Sequence, residues 1–184
     1  LLTGAAIDGI TLTGTGSKTK LNIATNGGSV VGTTINDLVI TKALNELGAL
    51  KLFKAKQVDF AEGGQFTADG DVHKMYFRAL GTDANIDIDG NVGQLNANIL
   101  RSDSTVDVSG TVDKLDVNML ANRSQVSANQ INKLNVKQEA RGANVEVGLG
   151  GLSDAKFKNI FNSAIGSEGQ IGKILVKNNA VASG

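Results

Sequence analysis

The amino-acid sequence predicts a right-handed parallel β-helix built from coils of about twenty residues. A six-residue apolar pattern recurs at nearly constant spacing, each repeat carries a second, alternating segment, and small turn-forming residues separate the two. The 184-residue chain is long enough for one domain with a sizeable core. Hydrophobic residues make up 41% of it, which excludes a disordered chain, and aromatic residues only 4%, so the core is expected to be aliphatic.

The six-residue pattern has apolar residues at its first, fourth and sixth positions. Its copies begin at Val72, Val92, Val112, Ile131, Leu152 and Ile171, so that the numbers of consecutive first positions differ by 20, 20, 19, 21 and 19. Stacked coils place equivalent residues about 4.8 Å apart, and such a repeat therefore predicts continuous columns of matching side chains. The fourth positions form one predicted inward column: Met75, Leu95, Leu115, Leu134, Ala155 and Ile174.

The second segment of each repeat alternates apolar and polar residues, as in Ile86-Asp87-Ile88 and Val106-Asp107-Val108. Alternation with period two is typical of a strand with one buried face. A turn-like pair such as Gly70-Asp71 or Gly90-Asn91 precedes each copy of the six-residue pattern. Because Gly and Asn tolerate positive φ, these pairs are expected to form the sharp corners of the coil.

Other repeat architectures fit this sequence less well. Twenty residues are too few for two helices or for a four-stranded propeller blade, and a leucine-rich consensus is missing. An antiparallel sandwich is the competing fold, because Asp69-Gly70 and Asp89-Gly90 are hairpin-like pairs. A sandwich does not require equivalent positions to match in residue type, whereas stacked coils do, so the matching columns favour the β-helix.

The chain is predicted to be a single continuous domain, with irregular coils or a cap over residues 1–60 and regular coils over residues 61–184. In the first part the apolar pattern begins at Ile7, Ile35 and Leu47, and these starts are unevenly spaced. The interval from Ile35 to Leu47 is too short to complete a coil of this type. Either an irregular coil lies there, or Leu38 to Leu47 forms a short helix that covers the end of the stack.

Charge and residue usage exclude several classes of protein. Eighteen basic and eighteen acidic residues cancel, so no net field favours nucleic acid or an anionic membrane. The absence of Cys excludes disulfides and Cys-ligated metal sites. No stretch reaches the roughly eighteen apolar residues of a membrane span, so we expect no membrane insertion. The composition favours an extracellular protein, and the start at Leu1 rather than Met indicates a processed product or a piece of a longer protein.

Residues for catalysis are sparse. His73 is the only His, so no Ser–His–Asp set can form without it, and it is expected to be solvated. The segment from Gly14 to Thr19 resembles a phosphate-binding loop but lacks the required spacing. We therefore expect no catalytic residues, no enzymatic activity and no cofactor other than calcium.

An outward acidic column is predicted on the alternating segment. Asp87, Asp107 and Glu146 should stack on one face, with Ser127 between the last two. Like charges at strand spacing repel one another, and calcium, which prefers several hard oxygen ligands, could relieve that repulsion. These three acidic residues are the candidate calcium site, and a solvated face is the simpler alternative.

A polar face is predicted on the outward side of the six-residue strand. Its Lys, Asn and Asp side chains could bind sugar hydroxyls. Sugar-binding faces usually add several stacking aromatic side chains, whereas this face has a single Tyr, so a polar face without a ligand is the simpler alternative. The candidate binding face comprises Lys74, Tyr76, Asn96, Lys114, Asp116, Lys133 and Asn135.

Coils of the form G-x-V-x-K-L-x-V, as at residues 110–117, together with Gly and Asn corners and the lack of Cys, resemble bacterial surface β-helix proteins. These include filamentous-haemagglutinin-like adhesins, autotransporter passengers and large repetitive surface or S-layer proteins. The resemblance covers roughly residues 45–176 and is architectural. It implies a secreted or cell-surface rod with a structural or adhesive role, whose partners are further copies, neighbouring segments of a longer chain, or cell-surface carbohydrate. Carbohydrate binding or polysaccharide cleavage is the alternative function, although the regular coils leave no room for the long charged loops of pectate-lyase-like enzymes.

Overall fold

The structure is a computed structural model that describes residues 6–24 and 33–181, with side chains described up to residue 178. The described residues form a parallel β-solenoid in which strands of successive coils pair side by side, and they contain no helix. This confirms the predicted β-helix architecture and its repeat of about twenty residues. The strands are β1 (Ala6–Thr15), β2 (Lys20–Asn22), β3 (Thr33–Lys42), β4 (Gly48–Leu50), β5 (Leu52–Ala68), β6 (Asp71–Leu80), β7 (Asn85–Ile88), β8 (Val92–Leu100), β9 (Thr105–Leu120), β10 (Gln125–Arg141), β11 (Asn144–Phe161), β12 (Ala164–Ser167) and β13 (Ile171–Val181).

The register of the regular coils is the one that the six-residue pattern predicts. Val72 pairs with Val92, Val92 with Val112, and Val112 with Ile131, always in parallel. The inward column of fourth positions is almost completely shielded from solvent as far as Ala155. The alternating segments stack in the same way through Ile86, and both sets of inward side chains belong to one hydrophobic core.

The first coils are wider than the later ones. In the alternating segment, Ile10 pairs with Leu38 and Leu38 with Phe66, at an interval well above that of the regular coils. In the six-residue strand, the interval from Leu21 to its partner Phe53 is longer still. Phenylalanine rings fill part of this interior, because Phe53, Phe60, Phe66 and Phe77 form one contact cluster with ring centroids 5.4–6.2 Å apart.

The structure corrects two expectations for this region. The short helix considered for Leu38 to Leu47 is absent: β3 continues to Lys42, a turn follows, and β4 begins at Gly48. The apolar pattern begins at Leu50, which pairs with Val72, and not at Leu47, which is 86% exposed. The error arose because both Leu residues fit an apolar spacing of three, and only the neighbouring coil shows which of them faces inward.

The glycines that precede the six-residue strand act by their small size. Of the predicted corner residues only Gly151 has a positive φ, of 81°. A Cβ atom on Gly90 would lie 2.6 Å from the carbonyl carbon of Gly70, and one on Gly110 would lie 2.7 Å from the carbonyl oxygen of Gly90. Backbones of successive coils therefore pass too close at this corner for a side chain, and the expected positive φ is wrong for most of these positions.

The left-handed backbone conformation occurs instead at the other corner, just before the alternating segment. The residues there have φ between 47° and 68° and recur once in each coil. They are Gly63, Asp83, Asp103, Arg123, Gly142 and Asn162. Since Gly, Asn and Asp adopt this conformation more readily than other residues, the column explains the small and polar residues at that place in most coils.

Candidate binding surfaces

The predicted acidic column stacks as expected. Asp87 pairs with Asp107, and Ser127 lies between Asp107 and Glu146 in successive rungs. The Ser127 hydroxyl donates a hydrogen bond of 2.6 Å to Oδ1 of Asp107, and Asn144 Nδ2 donates one of 2.6 Å to Oε1 of Glu146. Neutral donors therefore hold two of the three carboxylates and leave their charges in place.

The three carboxylates do not form a compact ligand set. Within residues 6–24 and 33–181, no group of three or more Asp, Glu and His side chains is arranged to hold a metal ion. No side chain in the described part of the chain donates a hydrogen bond to the Asp87 carboxylate. Calcium at this column stays a prediction from sequence.

The predicted polar face is also assembled in neighbouring columns. Tyr76, Asn96, Asp116 and Asn135 succeed one another in paired rungs. The next column begins with Lys74 and Gln94 and continues through Lys114. The seven predicted residues thus share one surface of the rod, with Lys133 completing the set on the same strand as Asn135.

Tyr76 lies at one end of this face with its ring already in contact. Its hydroxyl donates a hydrogen bond of 3.3 Å to Oε1 of Gln94, and Nζ of Lys56 lies 5.6 Å from the ring centroid. A cation at that distance interacts favourably with an aromatic face. The single aromatic ring of this face is therefore partly covered by the protein's own lysine.

Asp116 is the most buried charged group of the face, with 6% of its surface exposed. Lys114 Nζ lies 2.6 Å from its Oδ2, and Asn135 Nδ2 donates a hydrogen bond of 2.6 Å to its Oδ1. Burial alone would raise the pKa of this carboxyl, but these two donors and the nearby charge of Lys137 outweigh burial and hold the pKa below its usual value of 3.8. Lys114 points outward as expected, yet it also neutralises a buried charge.

We expect Asp116 to make stability depend on pH in acid. Its folded-state pKa is lowered, so its stabilising contribution is complete above the unfolded-state value near 3.8 and is lost as the pH falls through the folded-state value. The drop in urea-unfolding free energy between about pH 6 and about pH 3 should therefore be smaller in Asp116→Asn than in the wild type. An equal drop in both proteins would show that Asp116 contributes nothing to acid unfolding.

Positive charge extends beyond the predicted polar face over the whole outward surface of the six-residue strands. We call this surface the lysine face and define it as the outward residues of the six-residue pattern together with the residue that follows the pattern. Among the described residues it carries thirteen basic side chains against three acidic ones, Asp113, Asp116 and Asp154, and Asp59 in the neighbouring column is ion-paired with Arg78. The thirteen are Lys20, Lys51, Lys54, Lys56, Lys74, Arg78, Lys114, Lys133, Lys137, Lys156, Lys158, Lys173 and Lys177.

Negative charge is concentrated in the same way on the outward surface of the alternating segments. We call this surface the acidic face; Lys42 is its only basic residue in the part of the chain that the structure describes. Its carboxylates belong to Asp37, Asp69, Asp87, Asp89, Asp107, Glu146 and Glu168. The net charge of zero therefore hides two oppositely charged sides, which a count over the whole sequence could not reveal.

Sequence reasoning also missed the ion pairs at the corner that precedes the alternating segment. Arg123 donates to both carboxylate oxygens of Asp103, at 2.5 and 2.6 Å, and the two residues occupy the same place in successive coils. The pair lowers the pKa of Asp103 and raises that of Arg123. The one-coil spacing of Arg123 and Asp103 was visible in the sequence and could have identified the pair.

The last coil leaves its inward side chains uncovered. Ile171 and Ile174 are 45% and 42% exposed, although they continue columns whose earlier members are buried. Within the described residues, no strand pairs with β13 on the side away from β11. An apolar rung with an unpaired backbone edge is a surface on which another β-strand can stack.

None of the described residues forms a helix that could cross a membrane. Comparisons with protein-family models, with curated proteins and with solved structures find no match to this chain. The likeness to bacterial surface proteins therefore rests on architecture, and the chain is described as a parallel β-solenoid with two charged faces and an apolar end.

Proposed function

We propose that this chain is a structural segment of a secreted or cell-surface bacterial protein, and that it acts by stacking end to end with another copy of itself. The observation that carries the proposal is the exposed rung formed by Ile171 and Ile174. In every earlier regular coil the equivalent hydrophobic side chains are covered by the next coil. A coil of another copy could cover Ile171 and Ile174 in the same way, with the same spacing between its inward side chains.

The strands that would meet in this contact both have an unpaired backbone edge among the described residues. β13 presents one backbone edge of the six-residue strands, and β2, the first described strand in the same columns, pairs only with β5 among the described strands. Leu21 on β2 and, in the alternating segment, Ile10 and Leu12 on β1 are only partly covered, and all three pack against the core in its first described coil. A head-to-tail contact would extend the core from one copy into the next and generate a filament rather than a closed ring.

A structural or adhesive role also agrees with the rest of the surface. The regular coils carry short corners, and His73 is exposed with no hydrogen bond to another described side chain. Cleavage of a polysaccharide would need an acid and a base positioned around the substrate. The two charged faces form no enclosed cleft among the described residues in which such a pair could be held. Carbohydrate binding on the lysine face remains the alternative function.

The end-to-end contact is tested by light scattering over a range of protein concentrations in about 0.5 M salt, which screens charge contacts. We expect the wild-type mass to rise with concentration and Ile174→Lys/Val176→Lys to remain monomeric, because two lysines would be buried in the apolar contact. Leu175→Lys is the matched control, since Leu175 lies on the same strand but pairs in the outward column of Lys156. A strictly monomeric wild type, or one that cleaves an acidic polysaccharide, would contradict the proposal.

A further inference from the structure

We infer that the rods also associate side by side, with the lysine face of one copy against the acidic face of a second copy. The inference goes beyond the end-to-end contact, because it uses different residues and a different force. It begins from the segregation of charge: among the described residues, the lysine face carries thirteen basic and three acidic side chains, and the acidic face carries seven carboxylates and one lysine.

Most charges on the two faces form no ion pair with another described residue; the exceptions on the lysine face are Arg78, Lys114 and Lys156. On the lysine face, Lys74 and Lys133 are exposed and form no ion pair with a described residue. On the acidic face, Asp87 is exposed and has no ion pair within the described ranges, and the partner of Asp107 is the neutral hydroxyl of Ser127. Like charges in adjacent rungs repel one another, so contact with a surface of opposite charge would lower the electrostatic energy of each face.

The two faces also match in spacing. Every column follows the same parallel strand pairing, so cations on one face and carboxylates on the other are spaced by whole multiples of the same rung distance of about 4.8 Å. Lys74 stands two rungs before Lys114, and Asp87 stands one rung before Asp107. Two rods laid side by side can therefore align many opposite charges at once, which two irregular surfaces could not do.

A second copy explains both faces, whereas an anionic polymer explains only one. A polymer with phosphate or sulfate groups would bind the lysine face and leave the acidic face without a role. A net charge of zero permits close approach of identical copies, because no overall repulsion opposes it. Since each copy keeps one free face of each sign, the contact repeats and builds an open array.

The test measures association by light scattering and analytical ultracentrifugation at low and high salt. At about 0.05 M salt the wild type should associate laterally as well as end to end, and about 0.5 M salt should weaken the lateral contact at least tenfold by screening while the end-to-end contact persists. Lys74→Glu/Lys133→Glu and, separately, Asp87→Lys/Asp107→Lys should each weaken association at low salt at least about tenfold. Circular dichroism melting checks that each variant is folded.

The matched control makes the same charge change away from both faces. Lys18→Glu/Arg101→Glu alters two exposed basic residues at corners, and it should leave association within about twofold of the wild type. Ile174→Lys/Val176→Lys should retain the salt-sensitive association, which separates the lateral contact from the end-to-end one.

Three outcomes would overturn the inference. The first is association at low salt that neither face variant weakens. The second is association abolished by the end variant alone, which would leave the proposed end-to-end function standing. The third is a monomeric wild type that binds dextran sulfate through Lys74 and Lys133, which would assign the lysine face to an anionic polymer.

Discussion

Replacing Leu115 by Ala should destabilise the protein by about 2–5 kcal/mol. Leu115 is 1% exposed and stacks between Leu95 and Leu134 in the inward column. Removing its side chain opens a cavity that the rungs on either side cannot fill, because their backbones are fixed to each other by parallel pairing. Urea unfolding followed by circular dichroism measures the loss.

The control for Leu115→Ala is a lysine on the outward side of the same strands that has no ion pair with a described residue. Lys133→Ala should change the free energy of unfolding by less than about 0.5 kcal/mol, because Lys133 is exposed. Lys114→Ala is unsuitable as a control, because it would leave the buried carboxylate of Asp116 without its cation. Equal losses in Leu115→Ala and Lys133→Ala would show that the register of the inward column is wrong.

Phe60→Ala should cost about 3–5 kcal/mol and should act on the wide coils near the N-terminal end. Phe60 is 2% exposed, and its ring centroid lies 6.0 Å from that of Phe53, 6.2 Å from that of Phe66 and 5.4 Å from that of Phe77. Its removal deprives three rings of their common neighbour, so aromatic contacts are lost in addition to buried area.

Phe161→Ala provides the comparison for Phe60→Ala. The Phe161 ring is partly exposed, with the guanidinium carbon of Arg141 at 4.9 Å from its centroid. We expect a loss of about 1 kcal/mol, because little buried volume is removed. Thermal melting of both variants checks the difference, and a larger loss for Phe161→Ala would mean that the aromatic cluster does not hold the wide coils together.

The regular coils could be predicted from sequence because their evidence is redundant. The first-position column from Val72 to Leu152 and the fourth-position column through Leu115 each repeat a residue type at a fixed place, and a shift of one residue would destroy both. Buried columns constrain residue type strongly, since each side chain must fit the rungs on both sides.

The wide coils near the N-terminus could not be predicted in the same way. The interval between paired residues differs between their two segments and from that of the regular coils, so no single period recurs, and Leu47 and Leu50 were indistinguishable. The location of the left-handed corner was missed because Gly serves close approach at one corner and positive φ at the other. Sequence alone shows that Gly is required and not which of the two reasons applies.

The candidate surfaces were predicted in part for a related reason. Outward columns such as Tyr76 to Asn135 follow directly from the register. The hydrogen-bond and ion-pair partners of an outward side chain do not follow from the register. Asp116, for example, is contacted by Lys114 from its own strand and by Asn135 from the next coil. Long side chains choose among several neighbours, and that choice depends on rotamers.

Because the regular coils stack in the same register, the rod could be lengthened or shortened by one whole coil at a time. Val92 and Val112 hold equivalent places in consecutive coils, so excision of residues 92–111 would bring Val112 directly onto Val72 with every inward column continuous. Duplication of the same segment would add one coil and about 4.8 Å of length. Duplication or deletion of one repeat in the gene would therefore change the length of the rod by one coil and leave the hydrophobic columns of the core intact.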